Sequence, residues 1–230
     1  MEKRVSENLW EVENIMQKIL ITNDDGIQSD GIIRLARAAK KYGEVWVVAP
    51  DGQRSAMSHR ITLHETIEFF PVDFPVEGVH AYASTGTPAD CVRFGILNIV
   101  KEKPDYVFSG INYGYNSGTD IQYSATVGSA LEAACAGVHA IAFSEGASEC
   151  HEVTDAYLER MMEELMEQPL AYNQIWNVNF PQCELEKLQG ILYDRKIADC
   201  GFFIDEYLEE ELGKKVEKLI ANAKREVEES

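Results

Sequence analysis

From residue 18 to 103 short β-branched runs alternate with stretches of helical periodicity, the pattern of strands and crossover helices in a parallel sheet. Residues 18–22 read as the first strand. After a turn containing Gly26, Asp30 is placed to cap a helix whose Ile32, Ile33, Leu35, Ala36 and Ala39 form an apolar stripe ending near Gly43. Residues 44–49 read as the second strand. Residues 61–70 and 79–84 read as two more strands around the Pro71 to Pro75 segment, too polar and Pro-broken for a buried sheet centre, so they predict a side hairpin. Thr87 before Pro88 is a cap-then-first-turn pair, and Val92, Phe94, Ile96, Leu97 and Val100 continue as a helix leading to Pro104. Residues 105–109 form the next strand.

A Gly/Asn/Ser-rich loop follows over residues 110–122, and connections of this length are usually functional. Beyond it the pattern predicts a small-residue helix over 124–137, a strand over 140–144, an acidic helix over about 152–167, a strand over 175–179 and a strand-like run near Ile191. In the charged tail Ile204, Leu208, Leu212, Val216, Leu219, Ala223 and Val227 recur at helical intervals, predicting an amphipathic helix interrupted at Gly213. The fold class predicted is α/β: a Rossmann-like, mostly parallel sheet flanked by helices, with a small β-hairpin excursion and a helical C-terminal tail. The divisions are an extension over 1–15, an α/β domain over 16–203 and a tail over 204–230.

Composition narrows the partners. A net charge of −18 repels the phosphate backbone of a DNA or RNA polymer, although a small phosphate carried beside a bound cation remains compatible with it. Residues 145–170 hold eight Asp or Glu against one Arg, which reads as a solvated helix face. Five well-separated cysteines form no C-x-x-C pair and suggest neither a disulfide framework nor a zinc site. With no apolar run near the ~20 residues of a membrane span, the expectation is a cytoplasmic protein with no membrane partner.

The candidate chemistry lies after strand ends. Asn23-Asp24-Asp25-Gly26 puts adjacent carboxylates at the C-terminal edge of a parallel sheet, where ligands bind in open α/β folds. Keeping both ionised calls for a cation, and hard oxygen donors favour Mg²⁺, Mn²⁺ or Ca²⁺; the plainer alternative is an Asp-Gly turn. Ser55, in the polar cluster after the second strand, and Asn112, in the cluster after residues 105–108, could complete a four-oxygen set with Asp24 and Asp25. Singly, each reads as ordinary loop capping. Ser124 opens a helix whose N-terminus is a phosphate cradle or a plain cap, and Asn116 and Thr126, on the loop and helix start, join it as candidate phosphate contacts with Asn23. His59 is a candidate proton donor, more simply a solvated loop residue, and Tyr113, Tyr115 and Tyr123 could contact a base. Adjacent aspartates differ from the alternating D-x-D of haloacid-dehalogenase-type phosphatases.

These motifs resemble the SurE family of survival-protein nucleotidases. The resemblance rests on Asn23 to Gly26, Ala49-Pro50-Asp51 with Arg54-Ser55, Gly86 to Cys91, Ser109 to Asn112 with Gly114, Asn116 and Gly118, Asp120 to Glu132, and Trp176 to Pro181. It implies one divalent cation per subunit, Mg²⁺ or Mn²⁺, held by Asp24, Asp25, Ser55 and Asn112, with Asp24 and Asp25 also catalytic. It implies hydrolysis of nucleoside 5′- and 3′-monophosphates, short polyphosphate being a further substrate, and assembly as a homodimer or homotetramer. A metal- and phosphate-binding protein with little turnover is the alternative. The chain departs from the family's usual Gly at Ala56 and Ala125 and its Pro at Tyr115, and the tail does not match the family's β-rich arm.

Overall fold

The computed structural model describes residues 16–201, 203–206 and 224–227. The N-terminal extension lies outside the described residues. Seven strands form one sheet: β1 (Gln17–Thr22), β2 (Gly43–Pro50), β3 (Phe69–Pro71), β4 (His80–Ser84), β5 (Tyr106–Tyr113), β6 (His139–Glu145) and β7 (Trp176–Phe180). Their order is β3-β4-β2-β1-β5-β6-β7, with every pairing parallel except the antiparallel β3–β4 edge. The helices are α1 (Asp30–Ala39), α2 (Pro88–Phe94), α3 (Ala125–Cys135) and α4 (Glu152–Glu167).

Strand periodicity divides the core into two layers. Ile19 and Ile21 of β1 pack on one face with Phe108, Ile141, Ile32 and Leu35 of α1 and Met161, Met162 and Leu165 of α4. Leu20 points to the other face, against Val107, Val92 of α2 and Val127, Ala130 and Ala133 of α3. Each large side chain among these stabilises the fold by roughly 1.5–3 kcal/mol when fully buried. The result is the predicted α/β sandwich.

The chain builds β2, β4 and β3 to one side of β1 before crossing to β5, β6 and β7 on the other. The reversal falls between β1 and β5. A crevice opens at the strand C-terminal ends there, the place where ligands enter doubly wound sheets.

Several local expectations are corrected. Ser29, not Asp30, occupies the cap position of α1; it makes no side-chain cap, and its hydroxyl accepts from Asn23 Nδ2 at 2.7 Å. The segment over 61–70 is irregular except for its last two residues, which begin β3; β4 is mostly buried and pairs with β2, so the hairpin extends the sheet instead of leaving it. The second helix passes into a π-helical turn at Gly95–Ile99. β5 runs four residues past Ser109, into the glycine-rich segment. A register shift between Ser109 and Asn112 permits this, and Gly110 (φ +135°) sits where an added Cβ would lie 2.2 Å from the Phe143 carbonyl oxygen. Around Ile191 there is no strand.

In the tail, β8 (Phe203–Glu206) pairs antiparallel with β9 (Lys224–Val227), so the predicted helix is wrong at both its ends. Apolar residues at i, i+4 intervals also share one face of a strand, whose side chains alternate with period two. Residues 207–223, which hold the middle of that predicted helix, lie outside the described residues.

Candidate active site

The loop after β1 is shaped by Asn23. This residue is fully buried, and its side-chain nitrogen donates to the Gly26 carbonyl at 3.0 Å and to Ser29 Oγ at 2.7 Å. Both of its side-chain N–H groups are spent on the turn, so the Asn23 side chain positions the carboxylates. The loop after β2 then docks on this turn: Arg54 N–H donates to the Asp24 carbonyl at 2.6 Å, Ile27 N–H to the Pro50 carbonyl at 2.9 Å, and the Gln53 side chain bonds the Asp25 carboxylate. Ser55, exposed, follows the residue that grips Asp24. Arg54 is held in turn by Asp51 Oδ1 at 2.9 Å.

β5 closes the opposite side. Tyr113 N–H donates to Asp25 Oδ2 at 3.1 Å, which sets Asn112 beside the carboxylate pair. Asn112 Nδ2 donates to the Gly114 carbonyl at 2.8 Å, so the amide presents its oxygen as the remaining polar atom. Backbone contacts thus bring the segments that carry Ser55 and Asn112 against the Asp24–Asp25 turn, from three strand ends in all. Among the described residues no cluster of three or more His, Cys, Asp or Glu is arranged for a metal ion. A cation here would rely on two carboxylates completed by neutral oxygens, a donor set suited to Mg²⁺ or Mn²⁺ and not to zinc.

Electrostatics single out Asp24. It is 3% exposed, and burial, aided by the charge of Asp25, pushes its carboxyl up to about 7 against the pull of Thr126 hydrogen bonds. Asp25 is raised too, by burial, with the Tyr113 N–H and Gln53 opposing. A strained pair of this kind is what a bound cation relieves.

At the helix start predicted as a phosphate cradle, the structure gives several side chains internal partners. Thr126, fully buried, donates its hydroxyl to Asp24 Oδ1 at 2.7 Å, and its backbone N–H also reaches that carboxylate. The anion at the N-terminus of α3 is Asp24 itself, a favourable placement for negative charge. Ser124 Oγ accepts Val127 N–H at 3.1 Å and is a conventional cap. Asn116 is clamped: Nδ2 donates to Ser144 Oγ at 2.8 Å, its N–H donates to Asn179 Oδ1 at 2.8 Å, and its carbonyl accepts from Asn177 Nδ2 and Asn179 Nδ2 at 2.9 and 3.1 Å. Sequence reasoning misses Asn177 and Asn179 as site supports, although their period-two spacing in a strand places them on one face.

Other candidates fall outside the centre. His59 Nε2 lies 2.8 Å from Glu132 Oε2, and Glu132 is about 9 Å along α3 from Thr126. Tyr115 is half-buried and accepts Gln182 N–H at 2.8 Å, whereas Tyr113 and Tyr123 are exposed. Asp90 serves structure: it completes the capping box of α2 with Thr87 and accepts Thr62 N–H and Oγ1 at 2.9 and 2.6 Å, tying down the chain past Ser58. Burial opposes its ionisation, but the hydrogen bonds from Thr62 and Thr87 outweigh that and lower its pKa.

Comparison with known proteins agrees with this architecture. Residues 19–199 match the family model for survival protein SurE. The "5′-nucleotidase SurE" of Thermoanaerobacter sp. (strain X514) is 46% identical over 168 residues, covering 71% of this chain and 66% of that protein, so the match spans just under two thirds of the relative's length. A protein of the same name from Clostridium botulinum (strain ATCC 19397 / Type A) is 40% identical over 217 residues, covering 91% of this chain and 84% of that one. The crystal structure of the SurE protein from Aquifex aeolicus matches with a TM-score of 0.71 at 34% identity, covering 83% of this chain and 76% of that chain. With the sheet order, the paired aspartates at the switch point and a family match over most of its length, the chain belongs to the SurE family.

Proposed function

We propose that this protein is a divalent-cation-dependent phosphatase that hydrolyses nucleoside 5′- and 3′-monophosphates, with Asp24, Asp25, Ser55 and Asn112 holding one Mg²⁺ or Mn²⁺. The observation that carries the proposal is the adjacent Asp24–Asp25 pair, raised by burial at the switch point and gripped from three sides. The names of the relatives support the 5′-nucleotidase part. The cation supplies charge neutralisation for a phosphoryl group leaving its ester oxygen. Asp25, the more accessible carboxylate, orients the attacking water and accepts its proton, while Asp24 stays fixed by Thr126. Direct attack by an aspartate is the competing route, separated by acid-quench trapping of a covalent phosphoenzyme.

The remaining parts of the proposal are activity on short polyphosphate, a cytoplasmic location and assembly as a homodimer or homotetramer. Among the described residues no helix is long and apolar enough to cross a membrane. The deciding experiment is phosphate release from a panel of 5′- and 3′-nucleotides with added Mn²⁺, Mg²⁺ or chelator. Metal-dependent release supports the proposal. Metal and phosphate binding without release would favour instead a binding protein, a reading motivated by Ala56, beside Ser55, in the left-handed region at φ +58°.

A further inference from the structure

A cleft of about 360 Å³ opens directly from Asp25, walled by Ser29, Asp30, Ile111, Tyr113, Glu145 and His151. Its distinctive member is Glu145, the last residue of β6. Glu145 is 4% exposed, yet only half of its carboxylate is satisfied: Oε1 takes Arg34 at 2.7 Å and His151 Nδ1 at 3.1 Å, while Oε2 is buried with no hydrogen-bond partner among the described residues. Arg34 in turn holds Asp155 at 2.6 Å and lies 3.7 Å from Asp30, which leaves it committed among three acids. A carboxylate oxygen without a donor is costly in a protein interior, and such atoms in native structures call for an explanation.

We infer that this cleft is the nucleoside half of the active site, and that Glu145 determines specificity by turning its unpartnered Oε2 into the cleft to accept a hydrogen bond from a ribose hydroxyl. This rests on the proposed phosphatase reading of the adjoining Asp24–Asp25 centre. An acid at the C-terminal end of a parallel strand beside a switch point is the arrangement by which other doubly wound folds hold a ribose diol. The alternatives fit less well. A second phosphate is repelled by Asp25, Asp30 and Glu149 around the same cleft. A second metal ion fits less well, since Glu145 Oε1 already holds Arg34 and His151. A guanine edge offers two parallel donors, but Oε1 is already taken. Tyr113, 54% exposed at the rim, offers its ring to the base.

Glu145→Gln places an amide where the acceptor was, while Arg34 keeps Asp155. The test compares kcat/KM for a ribonucleoside 5′-monophosphate with that for its 2′,3′-dideoxy counterpart, using p-nitrophenyl phosphate, which has no sugar, as reference in each protein. The parent prefers the ribonucleotide by at least about tenfold, through KM, and the variant brings the pair within about twofold. A parent that does not discriminate, or a variant that keeps the full ratio, overturns the inference. Should the variant not fold, calorimetry on the parent decides: adenosine binding at least about tenfold tighter than 2′,3′-dideoxyadenosine supports it, and equal affinities overturn it. Absence of p-nitrophenyl phosphate hydrolysis with Mn²⁺ would count against the phosphatase reading alone, because the calorimetric arm needs no turnover.

Discussion

Thr126 Oγ1 donates to Asp24 Oδ1 across 2.7 Å, joining the first turn of α3 to the loop after β1. The hydrogen bond favours the ionised acid and opposes the burial that drives Asp24 up to about 7. Thr126→Val removes the hydroxyl at nearly constant volume, so the carboxyl rises further and competes with cations as a proton acceptor. Mn²⁺ affinity at pH 7, measured by calorimetry, should fall about tenfold, with a smaller loss at pH 9 where the acid is ionised in both proteins. An unchanged affinity at pH 7 would show that Thr126 does not tune the site.

Asp24 also makes the metal-free protein pH-sensitive in a defined direction. Its acid is near 3.8 in the unfolded chain and about 7 in the folded one. Below the lower value both states are protonated and nothing is lost. Between the two the unfolded chain ionises first, so stability falls as pH rises, by up to about 1.4 kcal/mol per unit, and the deficit is constant above the folded value. Asp24→Asn removes the titration. In chelator its melting temperature should exceed the parent's at pH 8, and the gap should close by pH 4; a gap of equal size at both would refute the assignment.

Ala56 at φ +58° is a non-glycine residue in the left-handed region, next to Ser55. Relief of that strain by Ala56→Gly is worth about 1 kcal/mol, partly offset by the extra freedom glycine gives the unfolded chain. The net expectation is a small rise in denaturation midpoint. A drop of more than about 1 kcal/mol would mean that the Ala56 methyl contributes packing beyond its strain.

Asp90 receives Thr62 and Thr87 together, so one carboxylate fixes both the start of α2 and the segment that leads into it. Asp90→Ala leaves these donors without an acceptor and should cost about 2–4 kcal/mol in chemical denaturation. A cost below about 0.5 kcal/mol would show that water replaces the carboxylate at no penalty.

The central strands are legible because their β-branched runs are buried on both faces, and Asp24 and Asp25 because two adjacent carboxylates followed by glycine stand out at a strand end. Thr126 is placed on the right helix start by pattern alone, but its partner lies 102 residues earlier, a distance that no local pattern spans. Glu145 misleads: it falls just past the strand predicted over 140–144, among the acids read as a solvated helix face, yet it is buried at the end of β6, and its cation, Arg34, sits 111 residues away in α1. The β3–β4 edge is misjudged because Pro71 and Pro75 describe the end of the edge strand and the connection after it, whereas Ala81 and Ala83 of β4 are buried against the sheet. The tail misleads because a four-residue spacing is also a multiple of a strand's two-residue period.

The contacts that make the centre reach far along the chain: Tyr113 to Asp25 spans 88 residues and Thr126 to Asp24 spans 102. Such contacts form only after the intervening loop entropy has been overcome, so the surroundings of the two aspartates are completed late in folding, after β5 and α3 have docked against β1. A ligand that binds only the finished centre slows unfolding and leaves the refolding rate nearly unchanged. During synthesis on the ribosome, both aspartates and Ser55 therefore emerge well before Asn112, Tyr113 and Thr126, and the half-made chain carries the charge of the centre without the groups that fix it in place.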